Sequence, residues 1–346
     1  MTKALSPKAL LLLIALLPAC YQPKQDFRQQ WFIFGTQVTV ELFATNRARA
    51  HAAFDHLDQL FRECNEDWYP WATLNGPARG ELARINRAIA NGEAIVASTE
   101  TAAIIRRASE IERLSNGLFN PALGALSELW GFADMGRPWD GPPSPEAIAA
   151  ILATAPSTAA IQWQDDALVS ANPGIVLDLG GIAKGAILQR TRVLLKSLGI
   201  RNAIIDLGGD LVVLGKKRGD PVKVGIRGPL NDARQLGVLG GTELASGEAA
   251  VTSGDYERFF TRDGERYQHI LDPRDGQPVR HTALVTVISE DPLLADAAAT
   301  ALLVGGPQQF DALVMALGVE AALLISDKGE RIMTPAMQRR IRWAKQ

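Results

Sequence analysis

The stretch from Val176 to Gly215 reads VLDLGGIAKGAILQRTRVLLKSLGIRNAIIDLGGDLVVLG. A short apolar run ends in Asp178, passes Gly180 and Gly181, and opens a helix with Lys184 in its first turn. Ile187, Thr191, Leu194 and Leu198 then recur on one helical face. A second apolar run, beginning at Ala203, ends in Gly208, Gly209 and Asp210. The pattern predicts a strand, a glycine turn, a helix, and a second strand closed by a second glycine turn. Glycines let backbone approach a ligand closely, and a helix start offers unpaired N–H groups whose partial positive charge Lys184 augments. A polyphosphate fits that junction; so does an ordinary glycine-rich connection that binds nothing.

Outward from this stretch, helices and hairpins are mixed. Trp31 to Ala44 alternates as a strand, and Asn46 caps a helix to about Cys64, with Phe54, Leu57, Leu60, Phe61 and Cys64 at helical spacing. Asp67 to Gly80 is aromatic and turn-rich; a helix follows from Thr99 to near Asn116-Gly117. A surface loop from Met135 to Ser144 precedes a helix over Pro145 to Ala153 and a hairpin around Asp165-Asp166. Further strands are expected at Leu211 and Val222. The C-terminal part predicts a strand at Ala283 to Ser289, helices at Leu293 to Val304 and Phe310 to Leu317, and a strand at Ala321 to Ser326. This order argues for an α+β fold rather than a doubly wound sheet.

The 346 residues are 47% hydrophobic, enough for a large core. Lys plus Arg number 36 against 38 Asp plus Glu, a net charge of −2, which leaves no basic field to hold nucleic acid. Lys3 and Lys8 accompany an apolar run, Ala9 to Leu17, that is too short for the roughly 20 residues of a membrane span. Residues 1–19 therefore read as a signal peptide. Its end, Leu17-Pro18-Ala19-Cys20, resembles the bacterial lipobox, in which the cysteine is lipidated; an ordinary signal peptide ending near a cysteine is the alternative. Residues 20–30 read as a polar tether and 31–346 as the folded body. With Cys20 lipidated, Cys64 has no disulfide partner and reads as core filler.

Two constellations carry chemistry. Asp296 and Thr300 stand one helical turn apart, which puts a carboxylate and a hydroxyl on one face, hard donors suited to Mg²⁺; a capping Asp with a back-bonded Thr is the structural alternative. His269 falls in an expected strand just before the turn Pro273-Arg274-Asp275-Gly276. Neutral at pH 7, its imidazole suits a general base, and a purely structural role is the alternative.

Six segments occur in one order: FGT (34–36), ELARIN (81–86), FNPALGALSELWGF (119–132), SGEAAVTSGDYERFF (246–260), RYQHILDPRDGQPV (266–279) and ADAAATALLVGG (295–306). Together with the glycine-rich stretch they resemble the ApbE family of FAD:protein FMN transferases over nearly the whole chain after about residue 30. The resemblance implies mixed helices and antiparallel hairpins around one flavin-binding cleft. It implies Mg²⁺-dependent transfer of FMN from FAD to a Thr or Ser hydroxyl of an acceptor protein, leaving a phosphoester-linked flavin and releasing AMP. Phe34, Trp71, Leu129, Trp130, Gly131, Asp178, Lys184 and Leu271 fall at flavin-contacting positions. A backbone carbonyl at Gly181 joins Asp296 and Thr300 at the metal, and His269 is the catalytic base. Several positions depart from the family pattern: Phe34 stands for Met, Trp71 for Tyr with Tyr69 competing, Gln268 for Ser, Asn120 for Asp, and Ala299 for a second metal-side Asp. The implied acceptor is a subunit of a membrane electron-transport complex, and the implied location a bacterial membrane, lipid-anchored and facing the periplasm. A Mg²⁺-dependent FAD pyrophosphatase giving FMN and AMP, and a non-enzymatic FAD-binding lipoprotein, are the other readings.

Overall fold

A computed structural model describes residues 25–71, 79–133, 139–229 and 236–344. The expected signal peptide and Cys20 lie outside the described residues. In chain order the first elements are β1 (Gln25–Ile33), β2 (Thr36–Thr45), α1 (Arg47–Asp67), α2 (Glu81–Asn91), β3 (Ile95–Val96), α3 (Thr99–Leu114), α4 (Gly124–Leu129) and α5 (Pro145–Leu152). Next come β4 (Ile161–Gln164), β5 (Ala167–Ser170), α6 (Ala183–Ser197), β6 (Ala203–Leu207), β7 (Asp210–Leu214), β8 (Val222–Pro229), β9 (Leu236–Leu244) and β10 (Ala249–Gly254). The chain continues with β11 (Phe259–Arg262), β12 (Glu265–Gln268), β13 (Thr282–Ser289), α7 (Pro292–Leu317), β14 (Ala321–Ser326), β15 (Arg331–Met333), α8 (Pro335–Arg340) and β16 (Arg342–Trp343).

Eight strands form one antiparallel sheet in the order β1-β2-β6-β7-β10-β13-β14-β15. One face carries α1, α3, α6 and α7; the small sheet β16-β9-β8 and Met337 of α8 cover part of the other. Covered on both sides, β13 is buried from Thr282 to Ile288, a continuous buried run in which only Thr282 and Thr286 are polar, instead of an alternating one. The alanines of α7, among them Ala298, Ala299 and Ala301, are wholly buried, so that helix lies close on the sheet. It breaks at Gly306 (φ 66°, ψ −169°) before Pro307, which gives the two helices expected from the sequence. The α+β class thus holds.

Three expectations are corrected. Trp31 to Ala44 is a hairpin turning at Phe34 and Gly35, both left-handed (φ 58° and 69°), the geometry of a two-residue type I′ turn. A phenylalanine takes that conformation because its N–H donates to Asn65 Oδ1 (3.3 Å) and its ring packs edge-on against Phe61. The tether expected through Gln30 gives way to β1 from Gln25 onward, because Phe27 and Trp31 alternate inward between the polar residues. The run at Val176 is no regular strand. Val176 makes a single parallel bridge with Leu123, and Asp178 donates its N–H to the Pro121 carbonyl (2.8 Å).

A side chain replaces the missing strand neighbour. The Asn86 amide donates to the Leu177 carbonyl (2.9 Å) and accepts from the Leu177 N–H (2.8 Å). Glu81, at the other end of the ELARIN segment, takes the Ser98 N–H (2.5 Å) and both the Ser98 and Thr101 hydroxyls, fixing the start of α3. The segment therefore ties α2 to the glycine-rich turn and to α3. Asn86→Ala should strand two polar groups of buried Leu177 and lower stability by about 2–4 kcal/mol. Urea denaturation followed by tryptophan fluorescence checks this; a loss under about 0.5 kcal/mol contradicts the clamp.

Candidate active site

Helix α6 starts with Ile182 as N-cap, which offers its orphan N–H groups no side-chain oxygen. The acceptor comes from α7: Asp296 Oδ2 receives the Gly185 N–H at 2.8 Å. Asp296 is thus not the N-cap of its own helix, a role taken by Asp291, but a remote cap for α6. Only glycine fits at 185, since a Cβ there would collide with the Pro292 carbonyl at the start of α7.

Lys184, in the same turn, is surrounded by acids. Its Nζ pairs with Asp210 Oδ2 and lies 3.8 Å from Glu257 Oε2. Asp210, 1% exposed, is set by the two-residue Gly208-Gly209 turn between β6 and β7, and its Oδ1 accepts the Thr252 N–H at 2.9 Å. Burial opposes the Lys184 charge, but Asp210, Glu257 and Asp296 outweigh it and hold the ammonium above its ordinary range. Burial pushes the Asp296 carboxyl up to about 7 despite the Lys184 charge, and likewise raises Glu257. Three acids thus face this lysine, and burial favours the protonated form of two of them, Asp296 and Glu257.

Gly181 closes the same pocket of charge. A Cβ built there would stand 3.4 Å from Thr300 Oγ1, and Thr300 lies 3.4 Å from Ser253 Oγ and 3.5 Å from the Asp296 carbonyl. The glycine turn, Thr300 and Asp296 are therefore brought together as expected. Among the described residues no three His, Cys, Asp or Glu side chains converge to hold a metal by themselves. A cation here would rest on one carboxylate, a hydroxyl, a carbonyl, waters and ligand oxygens, a donor set that fits Mg²⁺.

His269 follows β12 directly instead of lying within a strand. Its backbone N–H and its Nδ1 both face the Arg258 carbonyl, at 3.1 and 3.2 Å. A carbonyl only accepts, so Nδ1 carries the proton and Nε2 keeps a free lone pair. Burial, then the charges of Arg258 and Lys184, hold the imidazole well below its usual pKa and therefore neutral. Glu257, 3.8 Å from Lys184, is followed in the chain by Arg258, whose carbonyl faces His269, so neighbouring residues link the lysine and the imidazole.

Beside His269 stands an aromatic wall. Trp139 and Phe260 stack at 4.7 Å and 6°, Phe260 and Phe132 at 5.2 Å, and Tyr267 leans on Trp139 at 5.2 Å. Leu129 and Leu271 pack into this cluster, and Gly131 (φ 81°) lies against Trp139 and Phe260. Trp130 is placed differently from the expectation of a flavin contact: it is wholly buried, its indole N–H on the Gly276 carbonyl (2.8 Å). Trp71 packs on Gly124 of α4, and Tyr69 reaches the Ala133 carbonyl. Asp178 links the two halves, accepting from Ser127 Oγ (3.2 Å) and the Gly180 N–H (2.9 Å). Phe34 belongs to the main core; Thr36, two residues on, touches Gly208. Asn120 makes a local turn, accepting from the Ala122 N–H and donating to Pro156.

Asp210 and Glu257 were not singled out from the sequence, although both lie inside quoted segments; the signal was an acid closing each of two glycine-containing turns beside apolar strands. Cys64 is core filler as expected, its thiol pushed up to about 11 by burial, with Arg190 Nη1 3.1 Å away.

A sequence model of the ApbE family matches residues 34–323. A FAD:protein FMN transferase of Rhodobacter capsulatus is 38% identical over 320 residues, which cover 92% of this chain and 59% of that relative. A FAD:protein FMN transferase of Vibrio cholerae is 28% identical over 90% of this chain and 91% of its own length. The crystal structure of an ApbE protein from Thermotoga maritima superposes with a TM-score of 0.80 at 30% identity, covering 92% of this chain and 100% of that one. A flavin transferase ApbE structure from Vibrio cholerae gives 0.79 at 27% identity, with the same coverage. Matched in sequence over most of its length and in fold over nearly all of it, the chain belongs to the ApbE family.

Proposed function

We propose that this protein transfers FMN from FAD to a Thr or Ser hydroxyl of an acceptor protein. The observation that carries the reading is the meeting of the α6 N-terminal turn, Lys184 and the Asp296–Thr300 pair with a neutral His269 whose Nε2 is free to take a proton. Relatives named FAD:protein FMN transferase support it.

The acceptor oxygen attacks the FMN phosphorus and the P–O bond to AMP breaks; AMP leaves with the bridging oxygen, and the acceptor proton passes to His269 Nε2. Lys184 and the N–H groups opening α6 bind the pyrophosphate, and the aromatic wall with Leu129, Gly131 and Leu271 lines the isoalloxazine side. Asp178, anchored by Ser127 and Gly180, holds the adenine or ribose side. Asp296, Thr300 and the Gly181 carbonyl would hold Mg²⁺, which when bound supplies charge neutralisation on the phosphate oxygens. The enzyme is tethered by a lipid on Cys20 and faces the periplasm, where its acceptor is a subunit of a membrane electron-transport complex.

Calorimetric titration with FAD beside single-turnover transfer separates the roles. His269→Ala should bind FAD nearly as the parent does yet transfer roughly 10²- to 10⁴-fold slower. Lys184→Met combined with Asp210→Asn, which avoids a stranded buried carboxylate, should weaken FAD binding by about 1–3 kcal/mol. If His269→Ala loses affinity as badly, His269 is a binding residue and the base lies elsewhere.

Asp296→Asn keeps an oxygen for the Gly185 N–H but removes the charge. Folding stability should hold within about 1 kcal/mol while transfer in limiting Mg²⁺ falls by roughly 10²-fold or more; near-parent activity contradicts the assignment. For His269 the folded pKa is depressed, so the neutral base persists as pH falls through its ordinary value of 6.5. At saturating Mg²⁺ the single-turnover rate should stay flat through that pH and decline only further into acid; a limb centred near 6.5 contradicts the neutral base.

A further inference from the structure

The site occupies one end of the main sheet, and the opposite end has a different character. The turns Phe34-Gly35 and Gly208-Gly209 and the start of α6 lie at the site end. β1 runs away from it over 9 residues, about 30 Å, and α6 over 15 residues, about 22 Å. At the far end Gln25 opens β1, α1 begins, α6 ends, β6 begins and β7 ends.

One corner of that end is basic. Arg47, Arg49, Lys196, Arg201, Lys216, Lys217 and Arg218 are all exposed there. Against them at this corner stand Asp26, Glu41 and Asp220; Glu243, Glu248, Glu290 and Glu320 lie further along the same end, where β9 and β13 close and β10 and β14 open. The groups form one surface: Arg49 lies 3.7 Å from where a Gly199 side chain would begin, the Asn202 amide accepts the Lys216 N–H (3.0 Å), and Arg218 pairs with Asp26 at 2.8 Å. Lys217 pairs with Glu41 at 3.2 Å. Arg49, Arg201 and Lys216 have no acidic partner among the described residues. Arg49 and Arg201 border a cleft of about 380 Å³ floored by Phe43 and Ile200.

We propose that this corner of the sheet is a membrane-facing surface that lies on anionic phospholipid headgroups. Unpaired guanidinium and ammonium groups that outnumber the acids of this corner complement a negative leaflet. The chain leads to the same end, because Cys20 precedes Gln25 by five positions and can stand no more than about 18 Å from it. One short lipid-bearing segment and a basic face are the two signals that stable anchoring requires. Together they turn the catalytic end away from the bilayer, some 20–30 Å above it, where the soluble part of an acceptor can reach it.

The test uses the mature chain from residue 20 with Cys20→Ser, so the surface is read without the lipid or the apolar leader and a failure of the anchor remains separate from a failure of the surface. Vesicles of phosphatidylcholine alone are compared with vesicles containing about one third phosphatidylglycerol, in low and high salt. Binding should occur only to the anionic vesicles, fall with salt, and drop by roughly fivefold per cation removed, on the order of a hundredfold in Arg49→Ala/Arg201→Ala/Lys216→Ala. FAD affinity of that triple variant should match the parent, showing an intact fold. Equal binding to neutral vesicles, no binding to anionic ones, or undiminished binding of the triple variant overturns the proposal. So does salt-sensitive binding to a soluble acidic protein in place of the vesicles.

Discussion

The hydrogen bond from the Gly185 N–H to the Asp296 carboxylate fastens the start of α6 to α7, and the site is built around it. It satisfies a helix start that lacks its own cap, and it demands glycine at 185 so that the two helices can approach. It also fixes a carboxylate beside Lys184, in a place where burial makes its charge costly. A site in this condition favours cations and, once they are bound, polyphosphates. Structure and affinity at this end therefore come from the same contacts.

Around that junction the protein divides its tasks between two neighbourhoods. Charges gather where the Gly208-Gly209 turn, the end of β10 and the two helices meet, while flat apolar surface gathers where α4 faces β11 and β12. His269 sits between them, edge-on to Phe132 and within reach of the Lys184 field. A dinucleotide has the same division, with a ring system at one part and a pyrophosphate at another. The Asn86 clamp on Leu177 and the Asp178 contact with Ser127 keep the two neighbourhoods in register.

Periodicity made α6, the β6–β7 hairpin and the break in α7 at Gly306-Pro307 legible in the sequence, because each depends on neighbours within a few residues. The one-turn spacing of Asp296 and Thr300 was legible for the same reason. What stayed hidden depends on distant partners. Asp210 and Glu257 become site residues only when β7 and the segment after β10 are paired. Val176 to Leu179 looked like a strand since its apolar pattern is one, yet an asparagine side chain takes the place of the ladder. Phe34 hid a turn because a phenylalanine with positive φ is held by Asn65, thirty-one positions away. Trp130, aligned with flavin contacts by resemblance, is buried because Gly276 accepts its indole proton.

The central claim is that FMN becomes covalently attached to a protein hydroxyl. The direct measurement is the intact mass and peptide map of a candidate acceptor protein co-expressed with this chain. The account predicts an acceptor heavier by one FMN less one water, localised to a single Thr or Ser, with AMP released in equal amount. An unmodified acceptor with free FMN and AMP would instead show a hydrolase, and an unmodified acceptor with intact FAD would show a binding protein; either result contradicts the account.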